Sequence, residues 1–348
     1  MGSLMWKPIV LSLFLIVCAT TVVQAQTVDC PQIVEQVLEP VSALCDPLDR
    51  NSACYGASMV ESTTFEAQRP ADFFAAPGDR ADLAQLREIH PQPLDETAQT
   101  FGVAVLDLQA NLPDTLPGQS VIFLLMGDAR LTNEVSPDST QQSPFQSFYF
   151  LPGIGQSPCY EADPMLTIQT PGNISVTVTF NGVETQMSPS TLLTITPSVC
   201  TIHRGHIVQR VGDQTAALLE NQSVDIHIEE TGRIVVDNLR GISEREYARG
   251  LIVQDTLNAL AAANGWPEQF ITPPGAFADE PDRTQGACAV QHVVQSGETL
   301  HSIARHYDTS VVDIAQVNGL TNPRLIYAGQ TLCIPHPNSG FQALPAGQ

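Results

Sequence analysis

The chain has 348 residues, with 15 Lys+Arg against 37 Asp+Glu and a formal net charge of −22. A surface this negative offers no basic stripe to neutralise phosphates, which argues against nucleic acid as a partner and disfavours anionic lipid headgroups. Hydrophobic residues make up 43%, enough for a packed core; 26 Pro and 23 Gly beside only 6% aromatics mark a turn-rich, β-rich chain.

Residues 1–25 read as a secretory signal peptide: Lys7, the apolar run Ile9–Val17, and a small-residue exit at Val23-Gln24-Ala25. The apolar stretch falls short of the roughly 20 residues that span a bilayer. A retained anchor or lipidation at Cys18 are the alternatives. Cleavage after Ala25 predicts a secreted or cell-envelope protein outside the cytoplasm, without a membrane segment. Eight cysteines then become seven, so at least one lacks a partner within the chain. One bridge is expected within Cys30, Cys45 and Cys54, with connectivity open. Cys159 is expected with Cys200, and Cys288 with Cys333. His203 and His206 would not converge on a strand, and no metal site or cofactor is expected. Both read as surface or half-buried histidines.

Residues 26–95 form a cysteine-containing, partly helical segment. Ile33, Val34, Val37 and Leu38 recur at helical spacing after Asp29, a candidate N-cap, and Pro40 should end the helix. Asn51–Gly56 reads as a loop and 68–95 as irregular. From 96 to 240 the period becomes two, which predicts an antiparallel β-sandwich or barrel. Val121–Met126 is a continuous apolar run, as in a strand buried on both faces. Further strands are expected at 146–151, 166–170, 175–180, 191–195, 202–211, 224–228 and 234–236, with an Asn181-Gly182 hairpin. The run from Ile168 to Ile228, with Gly205, Gly212 and Gln222-Ser223-Val224, loosely resembles the FecR-like β domains of bacterial envelope proteins. Ser243 and Glu246 make a capping box for a helix within 241–266, its stripe being Tyr247, Leu251, Leu257, Leu260 and Ala261. Residues 267–287 are a Pro-rich acidic linker, expected to be solvated.

The sharpest signal lies at 288–336, before a tail at 337–348. Val290, His292 and Val294 alternate as a strand, and Thr299 caps a helix with the stripe Leu300, Ile303, Ala304, Tyr307. Ser310 and Asp313 cap a second helix, Gly319 stops it, and Leu332 and Ile334 form a second strand. In order and spacing His292–Leu300, Val317–Leu320, Gly329–Leu332 and Ile334-Pro335 resemble the LysM family. The resemblance implies a βααβ module binding β-1,4-linked N-acetylglucosamine glycan, either peptidoglycan or chitin. It places sugar between Ser296, Gly297, Glu298, Thr299, Leu300 and Asn322, Pro323, Leu325, Ile326, Tyr327. The fold class expected is therefore mainly β and multidomain, with this module at the C-terminus.

No catalytic motif stands out: there is no G-x-S-x-G elbow, no cysteine at a helix start with nearby histidines, and no clustered zinc ligands. A non-catalytic exported glycan-binding protein is the reading preferred. A cell-wall hydrolase with its catalytic site in the β region is the alternative.

Overall fold

The computed structural model describes residues 30–66, 73–109, 120–153, 159–211, 214–228, 234–278, 290–295, 297–307 and 326–334, with 309, 314, 318 and 320 individually. Among these residues two large sheets dominate. The first has nine strands in the order β17 (Ile234–Gly241), β16 (Gln222–Ile228), β13 (Val199–Arg204), β12 (Leu192–Ile195), β9 (Met165–Gln169), β6 (Ser120–Met126), β5 (Val103–Gln109), β1 (Ser52–Ala57), β3 (Arg80–Asp82). The second has eight: β15 (Gln214–Leu219), β14 (His206–Val211), β11 (Val183–Met187), β10 (Val176–Phe180), β8 (Ser147–Pro152), β7 (Ala129–Asn133), β4 (Leu86–Pro91), β2 (Val60–Thr64). Pairing is antiparallel except between β8 and β10. Neither sheet closes into a barrel, so the sandwich alternative holds.

The continuous apolar run of β6 has a direct cause. Val121, Phe123 and Leu125 face the second sheet, while Ile122, Leu124 and Met126 face helices α1 (Cys30–Cys45) and α2 (Glu244–Ala263). Both faces are covered, so both must be apolar. The layers are helices, first sheet, second sheet. Across the sandwich the Phe123 and Phe148 rings meet edge-on at 5.3 Å.

Several expectations change. Asn51–Gly56 is not a loop: Ser52–Ala57 is β1, between β3 and β5. The supposedly irregular 68–95 stretch contributes β3 and β4. Pro40 does not end α1, which runs to Cys45 with Ile33, Val34, Val37, Leu38 and Val41 buried on one face. Pro40 itself is exposed. That burial, with a disulfide at each helix end, outweighs the roughly 3 kcal/mol an interior proline costs. The bridges are Cys30–Cys159 and Cys45–Cys54. Cys159 therefore does not pair with Cys200, which is a buried free thiol. Asp29 and Cys288 lie outside the described residues.

The expected strand 202–211 is two strands in different sheets. Gly205, at φ +74°, turns the chain between β13 and β14, and a Cβ there would come within 2.6 Å of Thr191 Oγ1. The Asn181-Gly182 hairpin joins β10 to β11 as expected, both residues at positive φ. Ser243 and Glu246 form the capping box of α2. Leu251 is exposed, whereas Val253, Leu257, Leu260 and Ala261 are buried. His203 is neither superficial nor half-buried. It is enclosed beneath α2, its ring against Gly250 and its Nε2 2.9 Å from the Thr194 hydroxyl. Residues 266–278 are not a free spacer either. Trp266 and Ile271 are buried, and the Asn258 and Gln254 side chains of α2 bond the backbone of Gln269 and Ile271.

Candidate functional site

The C-terminal unit starts from a two-stranded sheet, β18 (Val290–Val293) against β19 (Thr331–Ile334), with His292 opposite Leu332. Thr299 caps α3 (Leu300–His306) in a box closed by Ser302. Val294, Leu300, Ile303, Ala304, Ile314, Leu332 and Ile334 form a small core, with Tyr307, Leu320 and Ile326 packed against it. The Ser310–Asp313 box lies outside the described residues.

Two tight turns form the rim. In one, Glu298 N–H donates to the Gln295 carbonyl across Gly297 at φ +89°, and the Glu298 carboxylate accepts from Gln295 N–H at 2.7 Å. In the other, Gln330 N–H donates to the Tyr327 carbonyl across Gly329, also at φ +89°, and the Gln330 amide oxygen accepts from Tyr327 N–H at 3.0 Å. The two turns have the same construction: glycine third, and a side-chain oxygen in fourth place closing back on the first N–H. Bonds Gly329 N–H to Val294 O and Val294 N–H to Gln330 O hold them side by side. Among the described residues a Cβ on either glycine would meet nothing within 4 Å. Here glycine serves the backbone angle, and it leaves open space above both turns.

The structure thus brings Gly297, Glu298 and Thr299 next to Ile326 and Tyr327. Tyr327 is 68% exposed, while Ile326 is partly buried against the core. Leu300 departs from expectation: at 2% exposure its side chain fills the core and offers no groove surface. Ser296, Asn322, Pro323 and Leu325 lie outside the described residues.

Three features were missed by sequence reasoning. The Glu298 carboxylate also lies 2.8 Å from His292 Nε2, and His292 Nδ1 lies 3.1 Å from the Tyr307 hydroxyl. A carboxylate only accepts, so Nε2 carries the proton, and in the neutral ring Nδ1 accepts from Tyr307. The Gln295 N–H first, and then His292, hold the Glu298 carboxyl below the usual range. The second feature is Asn318, whose amide donates to the Ile314 and Cys333 carbonyls and accepts from Cys333 N–H at 2.7 Å. It pairs with β19 as a strand would. The third is Gln330, visible beforehand only as the repetition of Gly-Glu and Gly-Gln.

The LysM domain family model matches residues 292–335. This segment is a LysM module. The chain is similar to the secreted LysM effector ECP6 of Passalora fulva, 38% identical over 81 residues, or 22% of this chain and 32% of that protein. It is similar to the probable autolysin SsaALP of Staphylococcus aureus, 50% identical over 46 residues, covering 13% and 17%. It also resembles the secreted LysM effector ELP2 of Colletotrichum higginsianum, 36% identical over 59 residues, covering 16% and 34%. The chain thus spans about a third or less of these relatives. Among solved structures, a candidate anti-sigma factor from Parabacteroides distasonis matches at TM-score 0.23 and 10% identity, covering 38% of this chain and 55% of that one. So low a score carries no argument about the β sheets. No helix among the described residues is long and apolar enough to cross a membrane.

Proposed function

We propose that this protein is exported and binds N-acetylglucosamine-containing glycan, peptidoglycan or chitin, through the LysM module, without catalysing its cleavage. The observation that carries the reading is the module itself: a matched LysM segment whose twin turns stand open above Gly297 and Gly329, beside the exposed Tyr327. Backbone groups near the glycines can pair with acetamides, and the Tyr327 ring offers a flat surface for a sugar face. The sites proposed are Ser296, Gly297, Glu298, Thr299, Asn322, Pro323, Leu325, Ile326 and Tyr327. Leu300 serves the core of the module. One module in a shallow groove implies weak binding per site, strengthened on a repetitive polymer.

The test is retention of the mature chain on insoluble chitin and on peptidoglycan, with assay of the supernatant for released fragments. Retention without release is expected, and Tyr327→Ala should weaken it. Retention on neither polymer would overturn the glycan reading. Release of soluble fragments would favour a hydrolase; the staphylococcal relative is named a probable autolysin, and its match is confined to 46 residues.

A further inference from the structure

A cleft of about 640 Å³ opens on the second sheet, lined among others by Glu61, Glu88, His90, Arg130, Phe73 and Phe74. The strand register builds its floor: Glu61 on β2 lies opposite His90 on β4, and Glu88 on β4 stands between Thr63 and Thr132. Among the described residues no helix covers the outer side of this sheet as α1 and α2 cover the first, and Glu61 and Arg130 are exposed.

Some of these groups are already engaged. Glu88 accepts from the Thr132 hydroxyl at 3.2 Å and holds Arg130 Nε at 3.4 Å. His90 Nε2 lies 2.9 Å from Asp128 Oδ1. Two groups keep unused capacity among the described residues: the Glu61 carboxylate, and the two terminal nitrogens of Arg130, whose Nε lies 3.4 Å from Glu88 Oε1. Phe73 supplies an apolar edge, while Phe74, 4% exposed, packs into the core against Tyr55.

We propose that this cleft is a second binding site, for a short peptide carrying both a free ammonium and a free carboxylate. The ammonium meets Glu61 and the carboxylate meets Arg130. A volume of this size suits a ligand of a few residues. The charge of the whole chain points the same way. At −22 the protein repels a simple anion, and a simple cation would be drawn to acids anywhere on the surface. A ligand without net charge but with separated charges gains mainly where acid and base face each other. On a wall polymer those groups belong to peptide stems. That last identification rests on the glycan reading above and selects peptidoglycan over chitin, whereas the cleft's chemistry does not depend on it.

The experiment titrates the mature chain by calorimetry with three probes: the tripeptide Ala-Ala-Ala, whose only charges are its terminal ammonium and carboxylate, the same peptide acetylated and amidated at its ends, and tetra-N-acetylglucosamine. The free tripeptide should bind, and blocking its ends should weaken it. Arg130→Gln and Glu61→Gln should each weaken it about tenfold, the loss of one charge-assisted contact. Both should leave tetrasaccharide binding unchanged. Both side chains reach solvent, and each variant stands as a test if the other misfolds. No binding of the free tripeptide, equal binding of the blocked one, or wild-type affinity in both variants would overturn the proposal. Loss of tetrasaccharide binding alone would instead strike the glycan reading.

Discussion

The sandwich and the LysM module handle the same problem with different means. The sandwich encloses Phe123, Phe145, Phe148 and Phe150 completely, and ties α1 down with disulfides at Cys30 and Cys45. The module's core is Val294, Leu300, Ile303, Ala304, Ile314, Leu332 and Ile334. A core that small is marginal, and the module adds polar bonds where its backbone would otherwise lack partners: the Asn318 amide on β19, the Thr299–Ser302 box, and the Glu298 and Gln330 turn closures. The sandwich places its polar network elsewhere, beneath the start of α2. There Arg240 makes paired bonds of 2.6 and 2.8 Å to Glu246, which also accepts from Ser223. A large apolar core can carry such a buried pair, whereas a small one has to place each polar group where it closes a turn or an edge.

The largest effect should come from the aromatic layer. Phe123→Ala should cost the sandwich about 3–5 kcal/mol, read in urea from Trp266, which is buried beside α2 and is the sole tryptophan after Trp6. Methyl NMR signals of Ile303 and Leu332 should hold their own unfolding midpoint. If they shift with Trp266, the two regions unfold as one and the contrast fails. Next, Glu246→Gln should cost about 3 kcal/mol, because removing one member of a buried pair leaves the other charge uncompensated. A change below 1 kcal/mol would mean that Asp225, 3.3 Å from Arg240, suffices as a partner. In the module, Asn318→Ala removes three hydrogen bonds and should cost about 2–3 kcal/mol. It should melt the Leu332 signal while leaving Trp266 unmoved.

Legibility followed the range of the interactions. The Val121–Met126 run announced a doubly covered strand because both its neighbours are apolar layers. The α2 capping box and the Asn181-Gly182 hairpin were readable because their bonds span only a few residues. Ser52–Ala57 was not: with both faces buried by Ala53, Cys54, Tyr55 and Ala57 it shows neither alternation nor a long branched run. Cys30 finds Cys159 across 129 residues, a separation no local pattern encodes. The break at Gly205 depends on Thr191 and Ser188 standing behind it. In the module, order and spacing exposed the family. Leu300 was carried into the groove by position, although its helical stripe already pointed it to the core. The Asn318 bond to the Cys333 backbone stayed hidden because the partners are 15 residues apart.

The smallest effect separates two buried groups of the sandwich by their sign. Burial pushes the Asp107 carboxyl up to about 6, against the pull of its bonds from Ser120 and Asn264. Burial takes His203 down to about 4. A raised carboxyl binds its proton in the folded state first, so Asp107 adds stability as pH falls from 7 to 5. A lowered histidine binds its proton in the unfolded state first, so His203 removes stability over the same interval. Each contribution is about 1–2 kcal/mol by linkage, and the two oppose, so the wild type should change little between pH 7 and 5. Asp107→Asn exposes the histidine alone, and its Trp266 transition should move to lower urea at pH 5 than at pH 7. His203→Gln leaves the aspartate, and its transition should move the other way. Parallel shifts in the two variants would show that neither group titrates in that window. The buried polar groups of the sandwich would then be fixed structural contacts, as the Asn318 amide is in the module.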